Sequence, residues 1–276
     1  MQTDFGVGGG GAMYGVCKTI DPELQIYDLS HVIPKFNVEK ASASLRNVMP
    51  FWPKGTIFVS VVDPGVGTAR RGCVAKLNNG SFVVTPDNGS LTAILDWVVA
   101  VREIDESVNR LKGSDKANSF HGRDVFAYTA ARLASGIINF EGVGPEYPVN
   151  EIVTFETTHG TVAPGRAEGE IAGCTKHFGG AGTNIDVDEF EKTGIVYGDM
   201  THVTIVKNVE TLFDRDVLYH KSFGFVPEGE PILYNGSTTP TIALSLNKRS
   251  FAEKFLPHIF DTGENFGDYK ITIVKK

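Results

Sequence analysis

The chain has 276 residues, of which 41% are hydrophobic and 21% charged, and its formal net charge at pH 7 is −7. This length allows one large or two ordinary domains, and the acidic balance without a basic cluster argues against nucleic acid as a partner. The three cysteines lie far apart, no histidine has metal-ligand spacing and no apolar run approaches about 18 residues, which argues against a metal site, a disulfide framework and a membrane span.

The chain begins with a glycine-rich segment that matches the dinucleotide-binding pattern G-x-G-x-x-G between Gly6 and Gly11. Asp28, at the end of a later apolar run, stands where that pattern places an acidic ribose ligand. However, the pattern requires a full strand ahead of its glycines, and only five residues precede Gly6. We therefore expect a flexible loop that leads into a helix over residues 12–19, rather than an NAD site.

Asp4 lies where a short first strand would end. A carboxylate at that place can accept hydrogen bonds from the two vicinal hydroxyls of a ribose. It can also form a turn by accepting from the backbone amides that follow it. The residues alone leave both interpretations open.

The rest of the first half alternates between strand and helix patterns. Strands are predicted at residues 24–29 and 56–62, and a hairpin at residues 73–77 and 81–85 around the turn Asn78-Asn79-Gly80. Helices are predicted at residues 38–49, 91–99 and 125–133, with Asn37 and Asp124 as N-caps. Such alternation is typical of an α/β layered domain.

The second half is rich in strand patterns and poor in helices. Only two short helices are predicted there, at residues 187–192 and 250–255. The predicted strands cover residues 152–156, 168–173, 202–207, 232–234, 241–246 and 270–274. This pattern indicates a smaller β domain, a barrel or a sandwich. Because the Gly/Pro-rich stretch at residues 158–169 marks a junction, we expect domains over residues 1–157 and 158–276.

Two polar blocks have the residue types that catalysis uses. Asp63 follows the most strand-like run of the chain, and a tight Pro/Gly loop can bring Arg70 back to it. An ordinary surface ion pair is the alternative. His121 stands beside Gly122 at the start of a predicted helix. Its ring could be approached closely by the backbone or a ligand, or it could simply cap the helix. A third block, Pro86-Asp87-Asn88-Gly89, is interpreted as a structural turn before a helix.

Five blocks together resemble one family. They are TDFG at residues 3–6, DLSH at 28–31, DPGVGTARR at 63–71, PDNG at 86–89 and FHGRD at 120–124. In this order they resemble the S-adenosyl-L-methionine hydroxide adenosyltransferases, relatives of the fluorinating and chlorinating enzymes. The resemblance is strong over residues 3–137 and weaker beyond.

The resemblance implies an N-terminal α/β/α layered domain and a C-terminal β-barrel domain. It also implies a homotrimer with active sites between neighbouring subunits. A cytoplasmic location is expected separately, because the sequence shows no signal-peptide pattern. The implied reaction is the hydrolysis of S-adenosyl-L-methionine to adenosine and methionine, with no cofactor besides the substrate itself.

The resemblance also implies roles for individual residues. Asp63, Arg70 and His121 surround the attacking water: Arg70 can stabilise the developing hydroxide, Asp63 can orient Arg70 or the water, and His121 can accept the proton if its ring is neutral, although the proton acceptor is left open. The implied substrate contacts are Asp4 at the ribose, Phe36, Phe120 and Gly122 at the pocket wall, Phe223 at the adenine, and Asn235 and Ser237. The halogenating relatives carry Tyr at the position of Asp63, and the fluorinating ones also carry Ser at that of Gly122. Because a carboxylate would repel a halide ion, this sequence is interpreted as that of an enzyme whose nucleophile is water.

Two stretches of the second half depart from the family pattern. Thr175 replaces an aspartate that helps to hold the amino-acid end of the substrate, Gly180 replaces an asparagine, and about two extra residues lie before Asn247. In the family these positions contact the methionine and adenine ends. Because these changes could alter how the substrate is held, two alternatives to the hydrolase stay open: a module that binds S-adenosyl-L-methionine or a nucleoside without turnover, or a hydrolase of a related nucleosyl sulfonium.

Overall fold

The computed structural model describes residues 1–256, 258–261 and 264–276. The chain divides into two compact units, Met1–Glu156 and Thr157–Lys276, each with its own hydrophobic core. Within the described ranges, none of the helices has the length and apolar character that crossing a membrane requires.

The first unit is built on a six-stranded mixed sheet with the strand order β1-β2-β4-β3-β5-β6. Its strands are β1 (Gln2–Thr3), β2 (Ile57–Val61), β3 (Gly72–Leu77), β4 (Phe82–Pro86), β5 (Val98–Glu103) and β6 (Glu146–Tyr147). β1, β2 and β4 run parallel, whereas β3, β5 and β6 pair antiparallel with their neighbours. The carboxyl ends of β1 and β2 therefore lie side by side at one edge.

Helices cover both faces of this sheet because successive strand residues point to opposite sides. On one face, Val59 and Val61 of β2 pack with helices α1 (Gly11–Ile20) and α3 (Tyr128–Ala134), the latter preceded by a π-helical turn, Gly122–Ala127. On the other face, Phe58 packs with α2 (Val38–Val48) and with a 3₁₀ turn, Thr92–Trp97. The predicted α/β/α layering is confirmed.

Four expectations for the first unit are wrong. Residues 24–29 run beside β1 but are not a strand, because β1 spans only two residues and pairs with this segment only through an isolated bridge at Ser30. Residues 91–99 form a 3₁₀ turn that passes directly into β5. Residues 152–156 pack Ile152 into the core without a ladder partner. His121, not Asp124, occupies the N-cap of the last helical segment.

The second unit is a closed seven-stranded β-barrel with one additional strand. The order is β14-β10-β11-β12-β13-β9-β8, and the pairing of β14 with β8 closes the barrel, for example at Ile271 opposite Gly169. The strands are β7 (Thr161–Ala163), β8 (Arg166–Cys174), β9 (Ala181–Asp186), β10 (Met200–Lys207), β11 (Glu210–Tyr219), β12 (Pro231–Asn235), β13 (Thr241–Leu246) and β14 (Tyr269–Lys275). The alternative of a sandwich is thereby excluded.

Two short helices, α4 (Val187–Glu191) and α5 (Phe251–Phe255), accompany the barrel where helices were predicted. The sequence reading missed β7, β9 and β11. β9 contains glycine, asparagine and aspartate, which strands disfavour, and three acidic side chains interrupt β11. Both are strands because closure of the barrel supplies partners on their two sides.

Candidate active site

Asp63 and Arg70 form a buried ion pair just beyond the carboxyl end of β2. The Arg70 guanidinium donates from Nε to Asp63 Oδ1 at 2.9 Å and from Nη2 to Oδ2, a bidentate arrangement. The Asp63 side chain is only 5% exposed and the Arg70 side chain only 10%. The loop between them turns at Gly67, whose φ of +77° favours glycine. The interpretation as an ordinary surface ion pair is therefore wrong.

His121 extends this pair into a chain of three side chains. Its Nδ1 lies 3.0 Å from Arg70 Nη2, and the ring is buried. Because a guanidinium can only donate, Nδ1 accepts, and the neutral ring carries its proton on Nε2. Nε2 is itself buried and has no hydrogen-bond partner among the described residues. An unsatisfied buried donor of this kind is costly in a folded protein, and a bound water would satisfy it.

The charge state of His121 follows from its surroundings. Burial lowers the pKa of His121 below its ordinary value of 6.5, and the guanidinium groups of Arg70 and Arg110 lower it further. The carboxylates of Glu106 and Asp63 oppose that shift. The imidazole is therefore neutral at pH 7, the state in which Nδ1 can accept from Arg70.

Glu106 is a member of this cluster that the sequence reading missed. Its Oε1 lies 3.8 Å from His121 Nδ1, and its Oε2 accepts from Arg110 Nη1 at 2.6 Å. The only sequence signal was the i, i+4 spacing of Glu106 and Arg110, which is common on solvated surfaces.

Asp4 holds a distant loop rather than the amides that follow it. Its Oδ2 accepts from the backbone N–H of Phe36 at 2.8 Å. Phe36 has a φ of +62°, a strained backbone conformation for a non-glycine residue, and the residue is 68% exposed. Asp4 Oδ1 has no partner within the described ranges and stays available to a ligand. The Asp4 carboxylate and the Phe36 backbone are thus held next to each other.

Phe120, Phe5 and Gly122 form one packed group beside His121. The two phenyl rings meet edge to face with centroids 5.5 Å apart. A Cβ at Gly122 would lie 3.1 Å from Phe5 Cζ and 3.3 Å from Val61 Cγ1. Gly122 therefore allows Phe5 to pack directly against the backbone of the histidine segment.

We expect Gly122→Ala to destabilise the protein by about 1–3 kcal/mol, because the added methyl group overpacks the site against Phe5 and Val61. Gly15→Ala is the matched control: its Cβ would meet open space within α1, and we expect stabilisation of about 0.5–1 kcal/mol. Urea unfolding monitored by circular dichroism measures both. Equal stability of the two variants would contradict this packing.

The glycine run at the start of the chain forms a series of tight turns that lead into α1. Gly6 and Gly8 have φ values of +88° and +78°, and a Cβ at Gly10 would overlap the Tyr14 hydroxyl. The N–H groups of Gly9 and Gly11 donate to the carbonyls of Gly6 and Gly8. These amides are therefore already bonded within the loop, which speaks against a phosphate cradle.

The DLSH block anchors this glycine loop. His31 Nδ1 lies 2.8 Å from Thr3 Oγ1, and the His31 carbonyl accepts from Gly6 N–H at 2.8 Å. Asp28, the residue that the dinucleotide pattern would assign to a ribose, accepts from the Tyr14 hydroxyl and lies 3.0 Å from His31 Nε2. Both flanks of Asp4 are thus fixed.

The second unit contains the other predicted contacts. Phe223 lies in a 3₁₀ turn, Phe223–Phe225, is 40% exposed and packs edge to face on Tyr234 with centroids 4.9 Å apart. Asn235 ends β12 and accepts from the Tyr219 hydroxyl at 2.7 Å. Ser237 is exposed in the bend that follows. These three residues lie along one short stretch of the barrel unit.

Gly180, one of the two departures from the family pattern, faces the side chain of Tyr234. A Cβ at Gly180 would lie 3.4 Å from the Tyr234 hydroxyl and 3.6 Å from Ser245 Oγ. The other departure, Thr175, closes the same loop through its backbone, accepting from Gly179 N–H and donating to the Gly180 carbonyl. In the described part of the chain, no group of three or more His, Cys, Asp or Glu side chains is arranged to hold a metal ion.

Comparison with known proteins gives a consistent result. The family model described as SAM hydroxide adenosyltransferase N-terminal domain matches residues 1–144, and that of the C-terminal domain matches residues 170–262. An (R)-S-adenosyl-L-methionine hydrolase of Thermus thermophilus is 33% identical over 244 residues, which cover 84% of each chain. A fluorinase of Actinopolyspora mzabensis is 26% identical over 88% of this chain and 86% of its own.

A solved structure extends the likeness to the whole fold. The crystal structure of an uncharacterized conserved protein from Thermotoga maritima matches with a TM-score of 0.86 and 30% sequence identity. The match covers 99% of this chain and 98% of that one. Both units of the chain therefore have counterparts in one known protein.

Proposed function

Because the chain belongs to the SAM hydroxide adenosyltransferase family, we propose that it hydrolyses S-adenosyl-L-methionine to adenosine and L-methionine. The observation that carries the proposal is the buried chain Asp63–Arg70–His121, which ends in an unpartnered Nε2. A site of this kind offers a water molecule both a donor and a nearby carboxylate.

The chemistry fits such a site. Water attacks C5′ in line with the sulfonium, the new C–O bond replaces the C–S bond, and methionine departs as a neutral thioether. No acid has to protonate this leaving group, and no cofactor has to accept electrons. The attack neutralises the positive sulfonium with an incipient hydroxide, an attraction that a dry site strengthens.

The three side chains have separate roles in this proposal. His121 Nε2–H orients the water, and Arg70 stabilises its developing negative charge. Asp63 holds Arg70 through two hydrogen bonds. With Nδ1 bonded to Arg70 and Nε2 carrying a proton, the neutral His121 ring has no free lone pair, so Asp63 is the member of the chain that can accept the proton of the water.

The substrate contacts are also part of the proposal. Asp4 Oδ1 accepts from the ribose hydroxyls, and Phe36 and Phe120 line the nucleoside pocket, with Gly122 as its floor. Phe223, Asn235 and Ser237 of the barrel unit contact the adenine and methionine ends. The free Oδ1 of Asp4 and the exposed rings of Phe36 and Phe223 support these assignments.

We further propose a cytoplasmic homotrimer with its sites between neighbouring subunits. The exposed aromatic side chains support an assembly, because a single subunit leaves Phe36 and Phe178, at 68% and 83% exposure, in contact with water. S-Adenosyl-L-methionine is an intracellular metabolite, which supports the location.

Incubation of the purified protein with S-adenosyl-L-methionine tests the proposed function. Liquid chromatography should show adenosine and methionine appearing in equal amounts. Tight binding of the substrate without product would favour a nucleoside-binding module instead. Turnover of another nucleosyl sulfonium but not of S-adenosyl-L-methionine would move the proposal to that substrate.

The pH dependence of turnover should reflect His121. Protonation of Nδ1 would break its bond with Arg70 and place a second cation beside the guanidinium. Because the pKa of His121 is lowered, we expect kcat to fall only as the pH drops below 6.5. Glu106→Gln removes a carboxylate that raises this pKa, so the acid limb should move to still lower pH.

Glu141→Gln, an exposed position in a 3₁₀ turn, is the control for the charge change and should leave the pH profile in place. An acid limb that stays fixed or moves to higher pH in Glu106→Gln would contradict the assignment of that limb to His121.

A further inference from the structure

We propose that Asn88 is a positioning residue for hydrolysis: its side-chain amide fixes the main chain directly before Asp63. The inference rests on the proposed function. From the sequence, the PDNG block at residues 86–89 is interpreted as a structural turn.

The need for Asn88 arises where β2 leaves the sheet. The register of β2 with β4 ends at Val59 opposite Val84, and β2 itself ends at Val61. Val62 is nevertheless fully buried, so its carbonyl needs a donor that the strand no longer supplies. Asn88 Nδ2 donates to the Val62 carbonyl at 3.0 Å. The side chain thus continues the ladder for one more residue, up to Asp63.

The Asn88 amide is itself held in one orientation. Its Oδ1 accepts from Ser90 N–H at 3.3 Å and from Ser90 Oγ at 2.7 Å. Because the backbone N–H can only donate, the oxygen of the amide must face Ser90 and the nitrogen must face Val62. Ser90 is fully buried, which keeps this arrangement away from competing water.

The neighbouring Asp87 fixes the other end of the same loop. Its backbone N–H donates to the Arg71 carbonyl at 2.9 Å, and its Oδ2 accepts from Arg71 Nε at 3.1 Å. The Asp87 carboxylate also accepts from the Tyr147 hydroxyl and from Val153 N–H. The two residues of the turn therefore hold the positions directly before Asp63 and directly after Arg70.

Among the described residues, the main chain between these two anchors forms hydrogen bonds only within the loop itself. Val66 N–H donates to the Asp63 carbonyl and Thr68 N–H to the Gly65 carbonyl, both within the loop. Loss of the Asn88 anchor would let the Asp63 backbone shift relative to Arg70 and His121. Since misplacement of a reacting group by about 1 Å can cost about 10²-fold in rate, the anchor acts on kcat.

Asn88→Asp tests this role with little change of shape. The carboxylate still accepts from Ser90 but cannot donate to the Val62 carbonyl. We expect kcat to fall about 30-fold and KM for S-adenosyl-L-methionine to change less than about threefold. Ser42→Ala is the matched control, since it removes another buried side-chain bond of the same unit, from Ala93 N–H to Ser42 Oγ at 2.9 Å. Its kcat should stay at the wild-type level.

A double-variant comparison separates positioning from a general loss of stability. If Asn88 acts through Asp63, Asn88→Asp should lower kcat by less than about threefold in an Asp63→Asn background. A full further 30-fold loss there, or an unchanged kcat in the single variant, would overturn the inference. Failure of both Asn88→Asp and Asn88→Ala to fold would also overturn it, by showing that the bond serves the fold alone. Wild-type protein without turnover would instead overturn the proposed function.

Discussion

Asp63→Asn is expected to lower kcat by about 10³-fold, with KM for S-adenosyl-L-methionine within about threefold of the wild-type value. The amide has only one oxygen and cannot receive the two donors of the Arg70 guanidinium. Arg70, only 10% exposed, would be left with an unpaired charge beside the attacking water. The substrate contacts lie on other residues, so the loss should fall on the chemical step. Steady-state kinetics with chromatographic detection of adenosine measures it.

Asp96→Asn is the matched control for Asp63→Asn, because it also removes a carboxylate from an ion pair with an arginine. Asp96 accepts from Arg46 Nη1 at 2.5 Å, but its side chain is 59% exposed, and pairs of this kind contribute little. Its kcat should equal that of the wild type. An Asp63→Asn variant that folds and keeps more than about a tenth of wild-type kcat would contradict the role given to Asp63.

His121→Ala should also lower kcat by about 10³-fold. The change removes the acceptor of the Arg70 Nη2–H and the buried Nε2 that orients the water. The residual activity should no longer show the acid limb that depends on Glu106. Rate measurements from pH 5 to 8, about the range in which an imidazole titrates, test both points.

His202→Ala is the matched histidine control. His202 lies exposed on the barrel unit between Asp214 and Asp216, and its removal should leave kcat and the pH profile unchanged. Wild-type activity in the His121→Ala variant would show that the imidazole has no part in the reaction.

Sequence reasoning predicted the two carboxylates of the candidate site, Asp4 and Asp63, because each comes just after a strand. Asp63 comes after the most strand-like run of the sequence, and the tight Pro/Gly loop that follows can bring Arg70 back to it. The sequence could not indicate Glu106 or the anchoring bond of Asn88. Those contacts depend on where a surface carboxylate and a turn amide lie after the sheet has formed, and local patterns contain no such distances.

The errors in the fold have a similar origin. Residues 24–29 have a strand pattern, but their neighbour β1 is too short to pair along them. β9 has a poor strand pattern, but the barrel gives it β8 and β13 as partners. In both cases the availability of a partner strand, which is a tertiary property, outweighed local propensity.

The glycine run at residues 6–11 is another case in which a local sequence pattern was misleading without the tertiary contacts. Its spacing fits a dinucleotide fingerprint, yet positive φ values at Gly6 and Gly8 and the close approach of Tyr14 to Gly10 account for the glycines. The glycine loop and the DLSH block together hold Asp4 in place.

Hydrolysis in water enriched in ¹⁸O tests the central claim most directly. If an activated water attacks C5′, mass spectrometry of the adenosine should show one ¹⁸O atom in the 5′-hydroxyl and none in the methionine. Methionine should form in an equal amount. Unlabelled adenosine, or the label in any position other than the 5′-hydroxyl, would contradict attack by water at C5′ in this site.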